Sequence, residues 1–353
     1  NPLGIGSSGA DLRLSPPPAL HELGGGKRLH YYPLPDITTS PQYPDRKMLR
    51  CMRPDAIYAF IAASLAMENA GLIEADHVST SLYAGAGQSY ADMWPFIREG
   101  IEASYVDGAF NLDRFGREGF LRINPFFAVR SLAALPLALI AQKYQIRGEN
   151  SVLSSFGAES VEAIAHACAD IRCGAATVAL AGGFDYLLSL PKVENLFCND
   201  FYEGDLYAAS SACFLVLEEQ DHNRKRNGNC LGEIVETCTQ SRPVGAGMAI
   251  DYRSTMYCGL CPEHLEKRVH YVSVNPSGTL SNHEEEVLAA RARFPGCLCE
   301  SYFDRMGTLL GGAEPFGTAL TLMSLTEGLG LSLSRSLNGT ESAVLVSREV
   351  ENA

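Results

Sequence analysis

The spacing of apolar residues predicts a first helix that begins near Pro54. Four apolar residues recur at intervals of three or four and share one helical face: Ile57, Phe60, Ile61 and Leu65. Proline suits the first turn of a helix, and Gly71 supplies a stop signal. A strand is predicted next, at residues 78–84.

A strand, a helix and a second strand are predicted between residues 152 and 181. The two strands are predicted at residues 152–156 and 177–181, and residues 160–172 have helical spacing. An apolar run at residues 213–217 predicts a further strand. Because strands joined through a helix usually lie in one sheet, this order predicts an α/β fold with helices covering the sheet.

The same kinds of element recur in the rest of the chain. Strands are predicted at residues 231–237, 270–274 and 342–346, and helices are predicted from residue 262, at 284–293 and at 311–327. Two α/β halves of similar design indicate an internal duplication. We therefore predict an N-terminal half at residues 1–222 and a C-terminal half at residues 223–353.

Three segments lack this regular alternation. Residues 1–48 are rich in Pro, Gly and Ser, which predicts loops. Residues 88–124 carry scattered aromatic residues without a sustained period, which is typical of a segment that covers a pocket or a partner. Residues 126–144 are apolar on nearly every side, which predicts one long helix buried by a core or by another subunit.

The charge of the chain restricts its partners. The net charge is −13 over 353 residues, whereas binding to nucleic acid needs a concentrated basic surface. We therefore expect no nucleic-acid partner. The sequence has no uninterrupted run of about 18 apolar residues, so we also expect no membrane span.

The eleven cysteines lack the dense spacing of a small disulfide-stapled domain. This favours reduced thiols and a cytoplasmic location. One group has a spacing compatible with zinc: Cys258, Cys261, His264, Cys297 and Cys299. However, Pro262 follows Cys261 where a helix would begin, and the second cysteine pair is CxC after a turn. We therefore predict no metal site.

The stretch SSFGAES, residues 154–160, has the layout of an elbow that holds a catalytic nucleophile. The predicted strand ends at Phe156 and a helix begins within three residues, so a side chain at position 157 would face the positive end of that helix. A thiolate is favoured there by the helix dipole and by free amide donors. The residue is Gly157, which has nothing to ionise. Glycine at this position is also compatible with an ordinary tight turn.

The segments around this elbow resemble the β-ketoacyl synthases of the thiolase-like superfamily. The resemblance rests on NPFFAVR, RGEN, SSFGAES and a strand ending in AGG, in that order. It continues through SVNPSGTLSN, where the family has HGTGT, and through RMGTLLGGAEPFGTA, where the family has its GH and GAAG segments. It covers nearly the whole chain. The resemblance implies a thiolase-like fold, with duplicated halves in α/β/α/β/α layers.

Matching these motifs residue by residue implies that the family's catalytic residues are replaced. Gly157 falls on the nucleophilic cysteine, and Asn275 falls on the histidine that opens HGTGT. Thr308 falls on the histidine of the GH pair, and Phe303 falls on the catalytic lysine. Condensation needs a thiolate to hold the acyl chain and imidazoles to stabilise developing charge. We therefore predict no catalytic residue and no condensing activity from this chain alone.

Chain-length factors are the β subunits of type II polyketide ketosynthases; they resemble ketosynthases but lack the cysteine. The resemblance implies an active ketosynthase partner, in a heterodimer or heterotetramer. It also implies that no cofactor binds this chain, since phosphopantetheine-linked acyl substrates are held by the carrier protein and the partner. Acyl carrier proteins are acidic, as is this chain, so we expect their contact to run mainly through the partner. Chain-length factors most often carry glutamine at the elbow, so Gly157 favours a divergent branch such as the aryl polyene synthases.

The same resemblance gives a shaping role to several bulky residues. Phe126, Phe127 and Leu132 would close the end of the partner's acyl tunnel and limit chain length by occupying volume. Leu337 falls on the phenylalanine that gates the family's acyl pocket. A plain packing role in the core is the alternative for the first three residues.

Two other functions remain open from the residues alone. The chain could be an acyltransferase or decarboxylase that uses a relocated thiol, such as Cys51, Cys198 or Cys213. It could also be a free-standing protein that binds an acyl chain. The state of these thiols and the behaviour of the isolated chain distinguish these functions from a non-catalytic subunit.

Overall fold

The computed structural model describes residues 19–22, 28–32, 36–87, 94–155, 157–187, 205–241, 260, 269–275, 280–336 and 340–349. The strands up to residue 225 are β1 (Ala19–Glu22), β2 (Arg28–Tyr32), β3 (Ser81–Ala86), β4 (Tyr105–Val106), β5 (Ala109–Phe110), β6 (Asn150–Leu153), β7 (Val178–Asp185), β8 (Leu206–Ala209) and β9 (Ser211–Glu218). The α-helices of this part are α1 (Arg46–Leu49), α2 (Pro54–Asn69), α3 (Trp94–Glu102), α4 (Leu112–Arg114), α5 (Phe127–Arg130), α6 (Leu135–Tyr144), α7 (Glu159–Arg172) and α8 (Gln220–Lys225). A π-helix (Phe115–Gly119) and a 3-10 helix (Phe120–Arg122) follow α4.

The remaining described elements belong to the second part of the chain. Its strands are β10 (Glu233–Ser241), β11 (Val269–Asn275), β12 (Leu298–Ser301), β13 (Gly328–Arg335) and β14 (Thr340–Arg348). Its helices are α9 (Leu280–Arg293), α10 (Phe303–Met306), a 3-10 helix (Leu310–Gly312) and α11 (Ala313–Ser324). The helix predicted from residue 262 lies outside the described residues.

Two larger sheets have similar topologies. The first has the order β6-β3-β7-β9, with β3 parallel to both β6 and β7, and β9 antiparallel to β7. The second has the order β10-β14-β13-β11-β12, with β11 parallel to β12 and β13 and the other pairs antiparallel. A smaller sheet joins β1, β2 and β8.

Helices α7 and α11 lie between the two larger sheets. Helix α7 packs on β3, β7 and β10, while α11 packs on β9, β11, β13 and β14. One core therefore joins Tyr83 of the first sheet, Ile164 of α7 and Val344 of the second sheet. Helices α2 and α6 cover the outer face of the first sheet, and α9 covers the outer face of the second. The predicted α/β/α/β/α layers are confirmed.

Residues 126–144 do not form the single long helix that the sequence predicted. Helix α5 ends at Arg130, a turn follows, and α6 begins at Leu135 with Pro136 in its first turn. Proline lacks the amide hydrogen that a continuing helix needs and is tolerated at a helix start. Leu132 lies in the intervening turn and is 55% exposed, so this segment is not buried on all sides.

The prediction that residues 1–48 are loops is also wrong in part. Strands β1 and β2 and helix α1 lie in this segment. Strand β2 pairs in parallel with β8, with His30 opposite Tyr207. A strand whose partner is so distant in the chain leaves little local signal in the sequence.

Candidate functional site

The elbow between β6 and α7 is closed by a glutamate side chain. Gly157 has φ = +111°, a backbone conformation that side-chain-bearing residues rarely adopt. Its N–H donates a hydrogen bond to Oε2 of Glu159 at 2.7 Å, and Oγ of Ser155 donates to the same oxygen at 3.1 Å. Backbone amides of this kind bind the oxyanion in acyl-transfer sites. In this chain the amide is occupied by the carboxyl group of Glu159.

Ser336 fills the space in which a side chain at position 157 would lie. A Cβ atom added to Gly157 would overlap the Cβ of Ser336 and lie 2.7 Å from its Oγ. Ser336 is itself held by Thr340, because its N–H donates to the Thr340 carbonyl at 2.9 Å and its Oγ accepts from the Thr340 N–H at 3.2 Å. A cysteine therefore fits at position 157 only if Ser336 moves.

Two buried carboxyl groups lie in the first turns of α7 and α11. Oγ of Ser160 donates to Oε2 of Glu314, which joins the two helices, and Oγ of Ser342 donates to Oε1 of Glu314 at 2.9 Å. Burial, followed by the nearby charge of Glu314, raises the pKa of Glu159 to about 7. Burial also raises the pKa of Glu314. At neutral pH the pair therefore carries less negative charge than two exposed glutamates.

Asn275 ends β11 with its side-chain oxygen buried. Within the described part of the chain, Oδ1 of Asn275 and Oγ of Ser334 have no hydrogen-bond partner. The two residues are paired across β11 and β13, so their side chains lie on the same face of the sheet. Ser336, which packs against Gly157, follows Ser334 by two residues. Asn275 can form hydrogen bonds near the elbow, but an amide cannot exchange protons as an imidazole does.

Phe303 and Thr308 both lie beside Tyr207 of β8. Phe303 is fully buried, and its ring centroid lies 5.8 Å from that of Tyr207 and 4.7 Å from that of His283. Thr308 is buried, and its N–H donates to the Tyr207 carbonyl at 2.9 Å. Neither Phe303 nor Thr308 can carry a charge. The assignment of these positions to replaced catalytic residues stays a prediction.

The residues predicted to shape a tunnel lie in and around α5. Phe126 and Phe127 are half-buried, and Leu132 is exposed. Leu337 lies outside the described residues. The structure therefore leaves Phe126, Phe127 and Leu132 available for contact with another molecule.

Three thiols were candidates for a relocated nucleophile. Cys198 lies outside the described residues. Burial raises the pKa of Cys213 to about 12, so its reactive thiolate form is scarce at neutral pH. Cys51 is partly buried beside the guanidinium of Arg130. Of the described candidates, Cys51 is the better placed to react.

The zinc-compatible group can be followed only in part. The sulfur atoms of Cys297 and Cys299 lie 3.3 Å apart, whereas Cys258, Cys261 and His264 lie outside the described residues. Among the residues that the structure describes, no group of three or more His, Cys, Asp or Glu side chains could hold a metal ion. None of the helices described is long and apolar enough to cross a bilayer.

Sequence reasoning missed the two residues that close the elbow. Glu159 has one local signal, because acidic residues are common in the first turn of a helix. Ser336 has no such signal, since only the folded chain brings it against Gly157.

Known proteins resemble this chain in both sequence and fold. Residues 32–196 match the N-terminal domain of the β-ketoacyl synthases. The solved structure of the ishigamide ketosynthase/chain length factor has a TM-score of 0.68 and 16% identity, and the match covers 91% of this chain and 87% of that one. The chain has the fold of the β-ketoacyl synthases. A type II polyketide ketosynthase solved with its acyl-carrier protein and a bound hexaketide has a TM-score of 0.67 and 16% identity, with 90% of each chain covered.

Relatives of this ketosynthase-like chain include known synthases. The 3-oxoacyl-(acyl-carrier-protein) synthase 1 of Haemophilus influenzae is 33% identical over an alignment of 211 residues, and the match covers 54% of this chain and 48% of that protein. Nodulation protein E of Rhizobium sp. (strain N33) is 27% identical over 324 residues, covering 83% of this chain and 75% of that protein. The chain spans about half the length of the first curated relatives that it matches.

Proposed function

We propose that this chain is a non-catalytic subunit, similar to a chain-length factor, that pairs with an active β-ketoacyl synthase and shapes its acyl tunnel. The closed elbow is the observation that carries the proposal. Gly157 supplies no nucleophile, Ser336 occupies the adjacent space, and Glu159 takes the elbow amide. A thioester intermediate needs a sulfur atom, room for the acyl carbonyl and a free donor for the oxyanion. All three requirements are unmet at this elbow.

Three other positions that we predict to replace catalytic residues support the same function. Asn275, Phe303 and Thr308 supply neither an imidazole nor an ammonium group. General acid–base catalysis requires a group whose pKa lies near the working pH, in contact with the reacting atoms. Glu159 has a pKa of about 7, but its carboxyl group is engaged with the elbow amide. Its perturbed pKa therefore reflects burial at a closed site.

The proposed partner and substrate follow from the fold and from the structural neighbours. One neighbour is a ketosynthase/chain length factor, and another is a ketosynthase in complex with its acyl-carrier protein. We infer that acyl chains on phosphopantetheine reach the partner's cysteine and extend toward Phe126, Phe127 and Leu132 of this chain. Gly157 in place of glutamine favours the aryl polyene or another polyene branch. A cytoplasmic location suits this thiol-dependent chemistry, because cytoplasmic thiols are kept reduced.

The test compares this chain alone with this chain plus a ketosynthase from the same genome that has an intact Cys-His-His set. Each sample receives acyl-loaded and malonyl-loaded carrier protein, and intact-protein mass spectrometry measures acylation while product analysis measures elongation. We expect no acylation of the isolated chain, and we expect products only when the ketosynthase is present. Acylation and elongation by the isolated chain would overturn the proposal. If a Cys51→Ser variant then lost that activity, the relocated nucleophile would be Cys51.

A further inference from the structure

Residues 94–123 form a unit that packs mainly on itself. This projecting unit comprises α3, the β4–β5 hairpin, α4, the π-helix and the 3-10 helix. Helix α3 packs against the π-helix and the 3-10 helix, and α4 packs against the π-helix. Its connection to the rest of the chain includes Arg130, whose guanidinium lies 4.5 Å from the ring centroid of Phe96 and donates to the carbonyls of Leu49 and Arg50.

Residues 96–123 of the projecting unit form no apolar core. Between residues 96 and 123, the buried positions are Gly100, Ser104 and Gly119, and no large apolar side chain is buried. Ordering a residue costs about 1–2 kcal/mol of backbone entropy, which buried apolar surface normally offsets. A unit of this kind therefore gains stability when another surface covers it.

Aromatic rings form a continuous ladder along the projecting unit. Tyr105 contacts Phe110, Phe110 contacts Phe115, and Phe115 contacts Phe120, with centroid separations of 6.0, 5.7 and 6.5 Å. Leu112 and Leu121 lie close to these aromatic residues in the sequence and are 75% and 79% exposed. The π-helix lies within this ladder, and π-helical turns are frequent at functional sites.

The exposed apolar surface is large enough for a stable interface. The exposed large apolar side chains of the unit are Tyr105, Val106, Phe110, Leu112, Phe120 and Leu121. If a fully exposed large side chain presents about 200 Å², they expose on the order of 700 Å², close to the roughly 800 Å² that each partner buries in a standard interface. The largest apolar patch on a typical monomer is about 300–600 Å².

The charges of the projecting unit favour an apolar partner over a strongly charged one. Residues 94–123 contain four arginines and five acidic residues, so this unit has a net charge of −1 within a chain of −13. Three of the arginines pair with carboxylates at i,i+4 positions: Arg98 with Glu102, Arg114 with Glu118, and Arg117 with Asp113. Locally paired arginines offer little attraction to an acidic carrier protein. Two copies of a chain with this net charge would repel each other, which opposes self-association.

We infer that the projecting unit is a docking surface for the ketosynthase subunit, with the aromatic ladder at its centre. This inference rests on the proposed function, which supplies the partner. The proposed ketosynthase interface would then extend from α5 and Leu132 to the projecting unit, because Leu121 and Val129 are exposed on the same stretch of chain. Aromatic residues that become fully desolvated dominate the affinity of such interfaces.

The test measures binding of a ketosynthase from the same genome, with an intact Cys-His-His set, to the wild type and to two charged variants, Leu112→Glu and Leu121→Glu. Both side chains are mostly exposed, so the variants should fold, and circular dichroism with a melting curve checks that they do. We expect each variant to weaken binding at least tenfold. Leu288→Glu is the matched control, because Leu288 is 62% exposed on α9, and this variant should bind as wild type does.

The outcomes separate this inference from the proposed function. If the wild type and all three variants bind the ketosynthase equally, the docking surface is wrong while the proposed subunit role survives. If the wild type does not bind the ketosynthase, the proposed function fails and this inference fails with it. If sedimentation shows that the chain dimerises alone and that Leu121→Glu abolishes the dimer, the occupant is a second copy, which overturns the assignment to a ketosynthase.

Discussion

Replacing Gly157 by alanine tests whether the elbow is closed as the structure indicates. The new Cβ atom meets two obstacles that can be measured separately. The first is the backbone, which has φ = +111° at Gly157. The second is the side chain of Ser336, which already fills the position of the new atom. We expect Gly157→Ala to lower the free energy of unfolding through both.

The structure allows the two costs to be estimated. A residue with a side chain in a sparsely populated backbone region costs about 1–3 kcal/mol. Inserting a methyl group into filled space costs typically about 1–3 kcal/mol more. The substitution should therefore destabilise the protein by about 4 kcal/mol, which is a large share of the roughly 5–15 kcal/mol of a typical domain.

A control glycine separates these costs. Gly174 has φ = +75°, and no atom lies within 4 Å of a Cβ added there, so Gly174→Ala should cost only the backbone part, about 1–2 kcal/mol. Adding Ser336→Gly to Gly157→Ala removes the overlap. The combined variant should therefore be more stable than the two separate losses predict, by about 1–3 kcal/mol.

Urea denaturation followed by circular dichroism provides the measurement. The free energies of unfolding are compared between variants that have the same m-value, the slope of that free energy against urea concentration. Two results would refute the reasoning. One is a cost for Gly157→Ala no greater than that for Gly174→Ala. The other is strict additivity of Gly157→Ala and Ser336→Gly, which would mean that Ser336 does not oppose Gly157.

Three further predictions concern titration and chain length. The pKa of Glu159 is raised from 4.5 to about 7, so the wild type should lose about 3 kcal/mol of stability as pH rises between those values. Glu159→Gln keeps an acceptor for the elbow amide but does not titrate. In this variant the fall of the melting temperature between pH 4.5 and 7 should disappear. Burial alone would raise the pKa of Glu218, but hydrogen bonds from Arg226 and two neighbours lower it to about 2. The stabilisation that the ionised Glu218 gives the fold is therefore complete above pH 4.5 and is lost as pH falls toward 2. Glu218→Gln should destabilise the protein at pH 7 by about 1–3 kcal/mol but not near pH 2. Phe126→Ala and Phe127→Ala should lengthen the products made with the ketosynthase, as read by mass spectrometry; unchanged lengths in both variants would remove these residues from the tunnel.

Elements whose signal is local could be predicted from the sequence. Helix α7 and strand β7 follow their apolar periodicity, and α2 begins at its proline as expected. Strand β13 was not predicted: its leucines alternate with the two-residue period of a strand, but the intervening glycines and serines are poor strand formers and weaken that signal. Its two neighbours β11 and β14 fix it at the interior of the second sheet.

In the candidate site too, positions marked by local motifs could be predicted, whereas contacts between distant parts of the chain could not. The order of motifs located the elbow and the end of β11, so Gly157 and Asn275 could be named from the sequence. The contents of the elbow could not be predicted, because Ser336 reaches Gly157 only through the fold. The pKa of Glu159 likewise depends on burial and on Glu314, which lies on another helix.

The closed elbow explains why glycine at position 157 need not weaken the fold. An elbow without a side chain would contain a void and an amide with no acceptor, and either feature costs free energy in a protein interior. Ser336 fills the space, and Glu159 accepts the hydrogen bond from the Gly157 amide. These residues act together, so a cysteine introduced at position 157 alone would overlap Ser336 and would still find the oxyanion donor occupied. Acyl transfer at this elbow would therefore require changes at all three positions.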